Sequence, residues 1–258
     1  MIEADLGRRF GGVGRLYGAE AQEIFAKSRA AVVGIGGVGS WTAEALARCG
    51  VGAITLIDLD NVAESNTNRQ IHALEDTFGM AKVSAMALRI RAINPACAIT
   101  EVEAFIEPGN AASMLTVAFD VIVDAIDQVR AKVAMVAWCR DAGIPLVVAG
   151  SAGGKVDPTR IRISDLSRTE QDPLLARVRA QLRKEHGFPR DPKRKFGVTA
   201  VFSDEPLRQM ADAAACQSDV APSGLNCAGY GSSVCVTATV GFVAASAALT
   251  LLMEKNDG

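Results

Sequence analysis

The chain has 258 residues, 49% of them hydrophobic, and a net charge of −2, values that support a sizeable buried core. With so little net charge, any nucleic-acid contact must rest on a local basic patch and not on the surface as a whole. Six cysteines (Cys49, Cys97, Cys139, Cys216, Cys227 and Cys235) stand without a C-x-x-C pair, which argues against a zinc site and suits a reducing cytosol.

Met1 to Gly18 is basic and glycine-rich, with Arg8, Arg9 and Arg15 ahead of Leu16-Tyr17-Gly18, and reads as a loose terminus. Met1 to Phe10 is charged and lacks the apolar core of a signal peptide, so a cytoplasmic location is expected. Ala19 to Ser28 follows as a short amphipathic helix. The stretch from Ala30 to Asp58 then organises the chain. An apolar run, Ala30 to Ile35, leads through Gly36-Gly37-Val38-Gly39-Ser40 into helical spacing over Ala43 to Arg48, and a second apolar strand, Ala53 to Ile57, ends at Asp58. Gly34, Gly36 and Gly39 form a G-x-G-x-x-G pattern with an acid about 20 residues on. Glycines let the backbone approach a phosphate, a helix start offers unpaired N–H groups, and an acid at Asp58 accepts from ribose hydroxyls. A bound nucleotide is the expectation; the plain alternative is a glycine turn that only allows close helix–strand packing.

Asp58 to Gln70 is the densest polar string in the sequence and is longer than a strand-to-helix connection requires. Long loops at the carboxyl ends of parallel strands are where ligands sit. Met80 to Ile93 is predicted as a helix with Lys82 near its start, where the helix dipole gives a cation no help, so Lys82 either points to solvent or reaches for a phosphate. Cys97 to Val102 is a third strand and Gly109 to Leu115 a small helix. Phe119 to Asp127 is a buried strand ending in acids, followed by a helix over Val129 to Ala142 and a parallel strand over Ile144 to Ala149. Asp127, at a strand's carboxyl end, suits either a magnesium ion that bridges phosphates or a helix cap.

From Gly150 the character changes. Ser151 to Lys155 is a turn, and Arg160 to Ile163 alternates like an exposed antiparallel strand. Arg177, Arg179, Arg183, Lys184, Arg190, Lys193, Arg194 and Lys195 face only Glu185 and Asp191 as acids, which reads as a solvated helix face or as a site for nucleic-acid phosphates. Phe196 to Ser203 is a further strand, and Cys216 to Ser233 a Gly/Ser-rich loop containing Cys227. Val234 to Met253 lacks charge and is long enough to span a bilayer, but its Thr237, Thr239, Gly241, Ser246 and Thr250 favour a buried strand end and helix, with membrane contact left open. The fold class is α/β, a Rossmann-like, doubly wound and mainly parallel sheet with an antiparallel C-terminal extension. It reads as one domain, with an arm and helix over 1–28, a nucleotide-binding core over 29–150 and the extension over 151–258.

Gly34-Ile35-Gly36-Gly37-Val38-Gly39-Ser40, Asp58-x-Asp60-x-Val62, Ser65-Asn66-x-Asn68-Arg69-Gln70, Gly79-x-x-Lys82 and Asp124-x-x-Asp127 resemble, in order and spacing, the ubiquitin-activating-enzyme-like adenylating family. That resemblance implies adenylation of a carboxylate with magnesium ATP. It also implies that Gly34, Gly36, Gly37, Gly39 and Ser40 line the phosphates and that Asp58, beside Asp60, binds the ribose. Asn66, Arg69, Gln70 and Lys82 would hold the phosphate chain, and Asp127 the magnesium. Arg15 resembles the arginine that members contribute across a homodimer interface. The second half, with its basic segment and Val198 to Glu205, resembles the branch that activates the threonylcarbamoyl group on a tRNA adenosine beside the anticodon and closes it into a ring. This gives tRNA as partner, and a cysteine desulfurase system as a further one with Cys227 as sulfur acceptor. Adenylation of a ubiquitin-like sulfur carrier, a nicotinamide-dependent dehydrogenase and a non-catalytic nucleotide-binding module are the alternatives. His72 and His186 carry no assigned role.

Overall fold

The computed structural model describes residues 4–115, 118–208 and 230–255. Seven strands form a sheet: β1 (Arg29–Val33), β2 (Ala53–Ile57), β3 (Ala98–Val102), β4 (Val121–Asp124), β5 (Leu146–Ala149), β6 (Ile161–Asp165) and β7 (Thr199–Ser203). Their order across the sheet is β3-β2-β1-β4-β5-β7-β6. Every neighbouring pair is parallel except β6 with β7. The extension is thus only half antiparallel, because β7 joins β5 in the parallel direction and β6 alone turns back.

Strand composition follows from double-sided burial. Ala30, Ala31, Val32 and Val33 are all at most 1% exposed, so β1 reads as a continuous apolar run and not as an alternating one. Alternate residues serve two cores. Ala30, Val32, Ile54, Leu56, Val121 and Val123 face α2 (Ala19–Lys27), α3 (Gly39–Arg48), α4 (Lys82–Ile93) and α8 (Val234–Glu254). Ala31, Val33, Ile57, Ile122 and Val148 face α5 (Ala111–Met114), α6 (Val129–Ala142) and α7 (Pro173–Glu185).

Two expectations change. The N-terminal segment is not loose: Leu6–Tyr17 is a helix, α1. Its four glycines disfavour helix, but Asp5 caps it by accepting the Arg8 N–H at 2.9 Å, Phe10 is buried against Gly50, and Arg9 donates to the Ala92 and Ile93 carbonyls at the end of α4. Tertiary contacts therefore outweigh propensity. Second, residues 234–254 are helical throughout, with no strand portion. This helix is long and apolar enough to cross a membrane, yet more than half of it is buried against α3 and the sheet. The two helices meet where α8 has no side chain: a Cβ on Gly241 would stand 2.6 Å from the Val38 carbonyl oxygen and 2.7 Å from Trp41 Cβ.

Candidate nucleotide site

Strand order reverses between β1 and β4, and in open parallel sheets that reversal leaves a crevice at the carboxyl ends. The glycine loop fills the start of this crevice. Gly39 packs so tightly that a Cβ there would lie 1.8 Å from the Gly34 carbonyl oxygen, which fixes the loop's curvature. The N-cap of α3, Val38, supplies no side-chain hydrogen bond; the Ser40 N–H turns back to the Gly36 carbonyl at 3.1 Å, while the neighbouring Gly39 and Trp41 N–H groups are left for an anion. Ser40 Oγ and Gln70 Oε1 are buried beside this loop without a hydrogen-bond partner among the described residues, and the Gln70 amide lies 4.0 Å from where a Gly36 Cβ would be. Placed beside the glycine loop, these two atoms are free to bond a polar ligand.

Asp58 ends β2 and clamps the loop: its Oδ2 accepts the Ile35 N–H at 2.6 Å and its Oδ1 the Asp60 N–H at 2.8 Å. Burial pushes its carboxyl up, while Lys82 and the two N–H groups pull it back. Each oxygen retains a further lone pair for a ribose hydroxyl. Of the two courses foreseen for Lys82, the burial of its side chain excludes the one that points to solvent. It is buried at the start of α4 and holds Asp60 Oδ2 at 2.7 Å.

The polar string after Asp60 folds back over the glycine loop. Asn66 is buried and its Oδ1 accepts the Ala63 N–H, while Arg69 donates to the Ser65 carbonyl and to Asn68 Oδ1. Arg69 carbons lie 3.3 and 3.4 Å from the position of a Gly37 Cβ, and the Trp41 indole donates to the Arg69 carbonyl. Asn68 ties this string to Ser232, ahead of α8. Gly34, Gly36, Gly37, Gly39, Ser40, Asp58, Asp60, Asn66, Arg69, Gln70 and Lys82 are thus carried by neighbouring loops at one end of the sheet. On the other side of the reversal β4 stops at Asp124, three residues earlier than foreseen, and Asp127 stands exposed in the turn before α6.

A buried ion pair escaped the sequence reading. Lys132 Nζ lies 3.0 Å from Asp124 Oδ1, both side chains fully buried, and also donates to the Ala149 carbonyl. Asp124 Oδ1 accepts the Ile126 N–H, so this carboxylate shapes the turn that presents Asp127; burial pushes its pKa up and Lys132 opposes the shift. The only available signal was a lysine between Ala131 and Val133 on an otherwise apolar helix face.

Other candidates lie elsewhere. Arg15 is exposed in the last turn of α1, and Cys227 is outside the described residues. Arg177 and Lys184 are exposed on α7, and Arg190, Lys193, Arg194 and Lys195 on the loop after it. Arg179 and Arg183 turn inward: Arg179 donates to Thr169 Oγ1, and Arg183 covers the Phe196 ring at 5.2 Å while donating to the Pro189 carbonyl.

Among the described residues no group of three or more His, Cys, Asp or Glu side chains forms a metal site. The arrangement instead suits a nucleotide whose phosphates meet backbone N–H groups and two cations. Residues 12–258 match the ThiF family. The chain belongs to the ThiF family. Within it, the sequence is 51% identical to the tRNA threonylcarbamoyladenosine dehydratase of Escherichia coli strain K12, over 96% of this chain and 94% of that one. The crystal structure of the E. coli enzyme in complex with ATP is similar at a TM-score of 0.88 and 49% identity, covering 100% of this chain and 98% of the other. Its complex with AMP is similar at a TM-score of 0.88 and 50% identity, with the same coverage. ThiF-family membership accounts for the mostly parallel sheet and for the glycine loop at its strand-order reversal.

Proposed function

We propose that this chain spends ATP to dehydrate threonylcarbamoyladenosine next to the anticodon of tRNA. The observation that carries the reading is the joining of a glycine-loop nucleotide site, flanked by Arg69 and Lys82, to a likeness that runs over nearly the whole of a relative bearing that name. A carboxylate oxygen of the threonyl group attacks the α-phosphorus of ATP, the bond to the bridging oxygen breaks and pyrophosphate leaves. A nucleophile of the same modified base then attacks the activated carbonyl carbon, and AMP departs with the former carboxylate oxygen. The ring closes with net loss of water, and positioning supplies most of the second step.

The residues fit ATP. The N–H groups at the start of α3 take its phosphates, Ser40 and Gln70 offer their unpaired polar atoms, and Arg69 and Lys82 stabilise charge growing on the α-phosphate. Asp58 takes the ribose. Magnesium enters with the nucleotide, for which one or two protein carboxylates suffice, and Asp127 is the exposed candidate. Exposed Arg15 suits a homodimer in which one copy completes the partner's site. A cysteine desulfurase system is a further partner, with Cys227 as acceptor, and the setting is the cytoplasm.

The test is AMP formation from ATP and magnesium with tRNA carrying the threonylcarbamoyl group against the same tRNA without it, the base being followed by mass spectrometry. AMP release and a loss of one water on modified tRNA only is the expected result. Absence of AMP with both, together with adenylation of a ubiquitin-like sulfur carrier, would replace this reading.

A further inference from the structure

The helix α7 starts at the nucleotide end of the sheet and finishes at the other. Its N-cap Asp172 accepts the Ser151 N–H, two residues beyond the carboxyl end of β5. Beyond the 13 residues of α7, a rise of about 20 Å, the His186 carbonyl receives Arg140 from the last turn of α6. The loop that follows carries Arg190, Lys193, Arg194 and Lys195, all exposed, against Asp191, before entering β7 at its amino end. Since β7 runs parallel to β5, this loop lies at the opposite edge of the sheet from the glycine loop.

The loop is held firmly at both ends. Phe188 and Phe196 are buried and pack edge to face at 4.9 Å, with Arg140 over the first ring at 4.3 Å and Arg183 over the second. Asp165, which ends β6, accepts the N–H groups of Phe196, Gly197 and Val198. Burial alone would raise the Asp165 carboxyl, but hydrogen bonds from Ser167, Phe196 and Gly197 outweigh it and the net shift is downward. At the nucleotide end, by contrast, Lys82 is paired with Asp60, Arg160 and Arg162 with Asp204, and Arg208 with Glu205. No such pairing holds Lys193, Arg194 or Lys195 among the described residues.

We infer that residues 190–195 grip phosphates of an RNA stem at the end of the sheet opposite the nucleotide site, a helix length of about 20 Å along the strands, so that the protein reads its substrate at two separated points. This rests on the proposed tRNA reaction. A cationic surface fixed in place, unpaired and remote from the chemistry adds affinity for a long polyanion and none for a short one. Arg69 and Lys82 are committed to the nucleotide, so shape and that site select the reacting nucleoside, while the remote loop supplies salt-sensitive attraction.

The triple variant Lys193→Ala, Arg194→Ala and Lys195→Ala tests this in exposed positions that the core does not use. Binding of full-length unmodified tRNA and of a hairpin limited to the anticodon loop and its closing pairs is measured by fluorescence anisotropy across a salt series. Full-length tRNA is expected to bind at least about tenfold more weakly to the variant, and the slope of log affinity against log salt to shrink by about three. The hairpin is expected to change less than about twofold. An equal loss for both RNAs would place the loop beside the reacting base, and no loss for either would leave it a solvated face or a site for an acidic protein; both results overturn the inference. Because this measurement needs no turnover, it stands apart from the AMP assay: wild-type protein that forms no AMP on modified tRNA refutes the proposed reaction, while the binding comparison still decides the remote contact.

Discussion

Lys82 and Asp60 are joined twice, Lys82 Nζ to Asp60 Oδ2 at 2.7 Å and the Lys82 N–H to the Asp60 carbonyl at 3.0 Å. The first turn of α4 is thereby fixed to the loop leaving β2, and a largely buried ammonium is held at the rim of the nucleotide site by a half-exposed carboxylate.

Lys82→Ala is expected to lower AMP formation by about a hundredfold or more, the scale of losing one stabiliser of developing charge. The melting temperature should fall by only a few degrees, since a half-exposed ion pair contributes on the order of 1 kcal/mol or less. Asp60→Ala should be milder, because the ammonium stays. Full turnover in Lys82→Ala would remove this residue from the site.

Gly39→Ala forces a methyl into the Gly34 carbonyl, and the loop must shift to admit it. We expect a loss of about 3 kcal/mol in urea unfolding together with loss of ATP binding by calorimetry. A variant that binds ATP normally would show that the loop curvature does not matter to the ligand.

Lys132→Met strands the Asp124 carboxylate in the core, at a cost of about 3 to 5 kcal/mol near neutral pH. The penalty should shrink in acid, because without Lys132 burial alone raises the folded-state pKa and protonation then relieves it. Lys132→Met combined with Asp124→Leu should recover most of the stability, which urea titrations at pH 7 and pH 5 would reveal.

His72 is fully buried and neither ring nitrogen has a hydrogen-bond partner among the described residues. Burial pushes its pKa down to about 4, with Lys82 and Arg89 adding to the shift. The unfolded chain therefore takes up a proton below about 6.5 that the folded chain refuses. Stability should fall as pH drops from about 6.5 to about 4, by on the order of 3 kcal/mol in total. In His72→Leu that fraction of the pH dependence should vanish from thermal melts recorded across this window, and an unchanged profile would assign it to other groups.

Much of the nucleotide end was legible because its signals are local. The apolar run before Gly34, the glycines and the 23-residue step from Ile35 to Asp58 belong to one strand–helix–strand unit, and the Ile35 N–H does meet Asp58. Helix α6 spans Val129–Ala142 as its periodicity predicts. What escaped depends on contacts between distant segments. Glycines conceal α1, whose order comes from Phe10 and from Arg9 reaching the end of α4. Lys132 reads as a surface lysine until β4 and α6 are packed together. In the basic segment the charges are plain in the sequence, but the two aromatic rings that draw Arg140 and Arg183 out of solvent become partners only once the chain has turned.

The crossing of α8 over α3 at Gly241 reverses the order of synthesis and the order of burial. The glycine-loop unit is made well before α8, but one face of β4, β5 and β7 is sealed by that later helix. A nascent chain that has already formed its nucleotide loop still exposes that apolar face until residue 254 emerges. Closure of this core therefore waits on a segment far along the chain from the strands it covers, with the aggregation risk that delay brings.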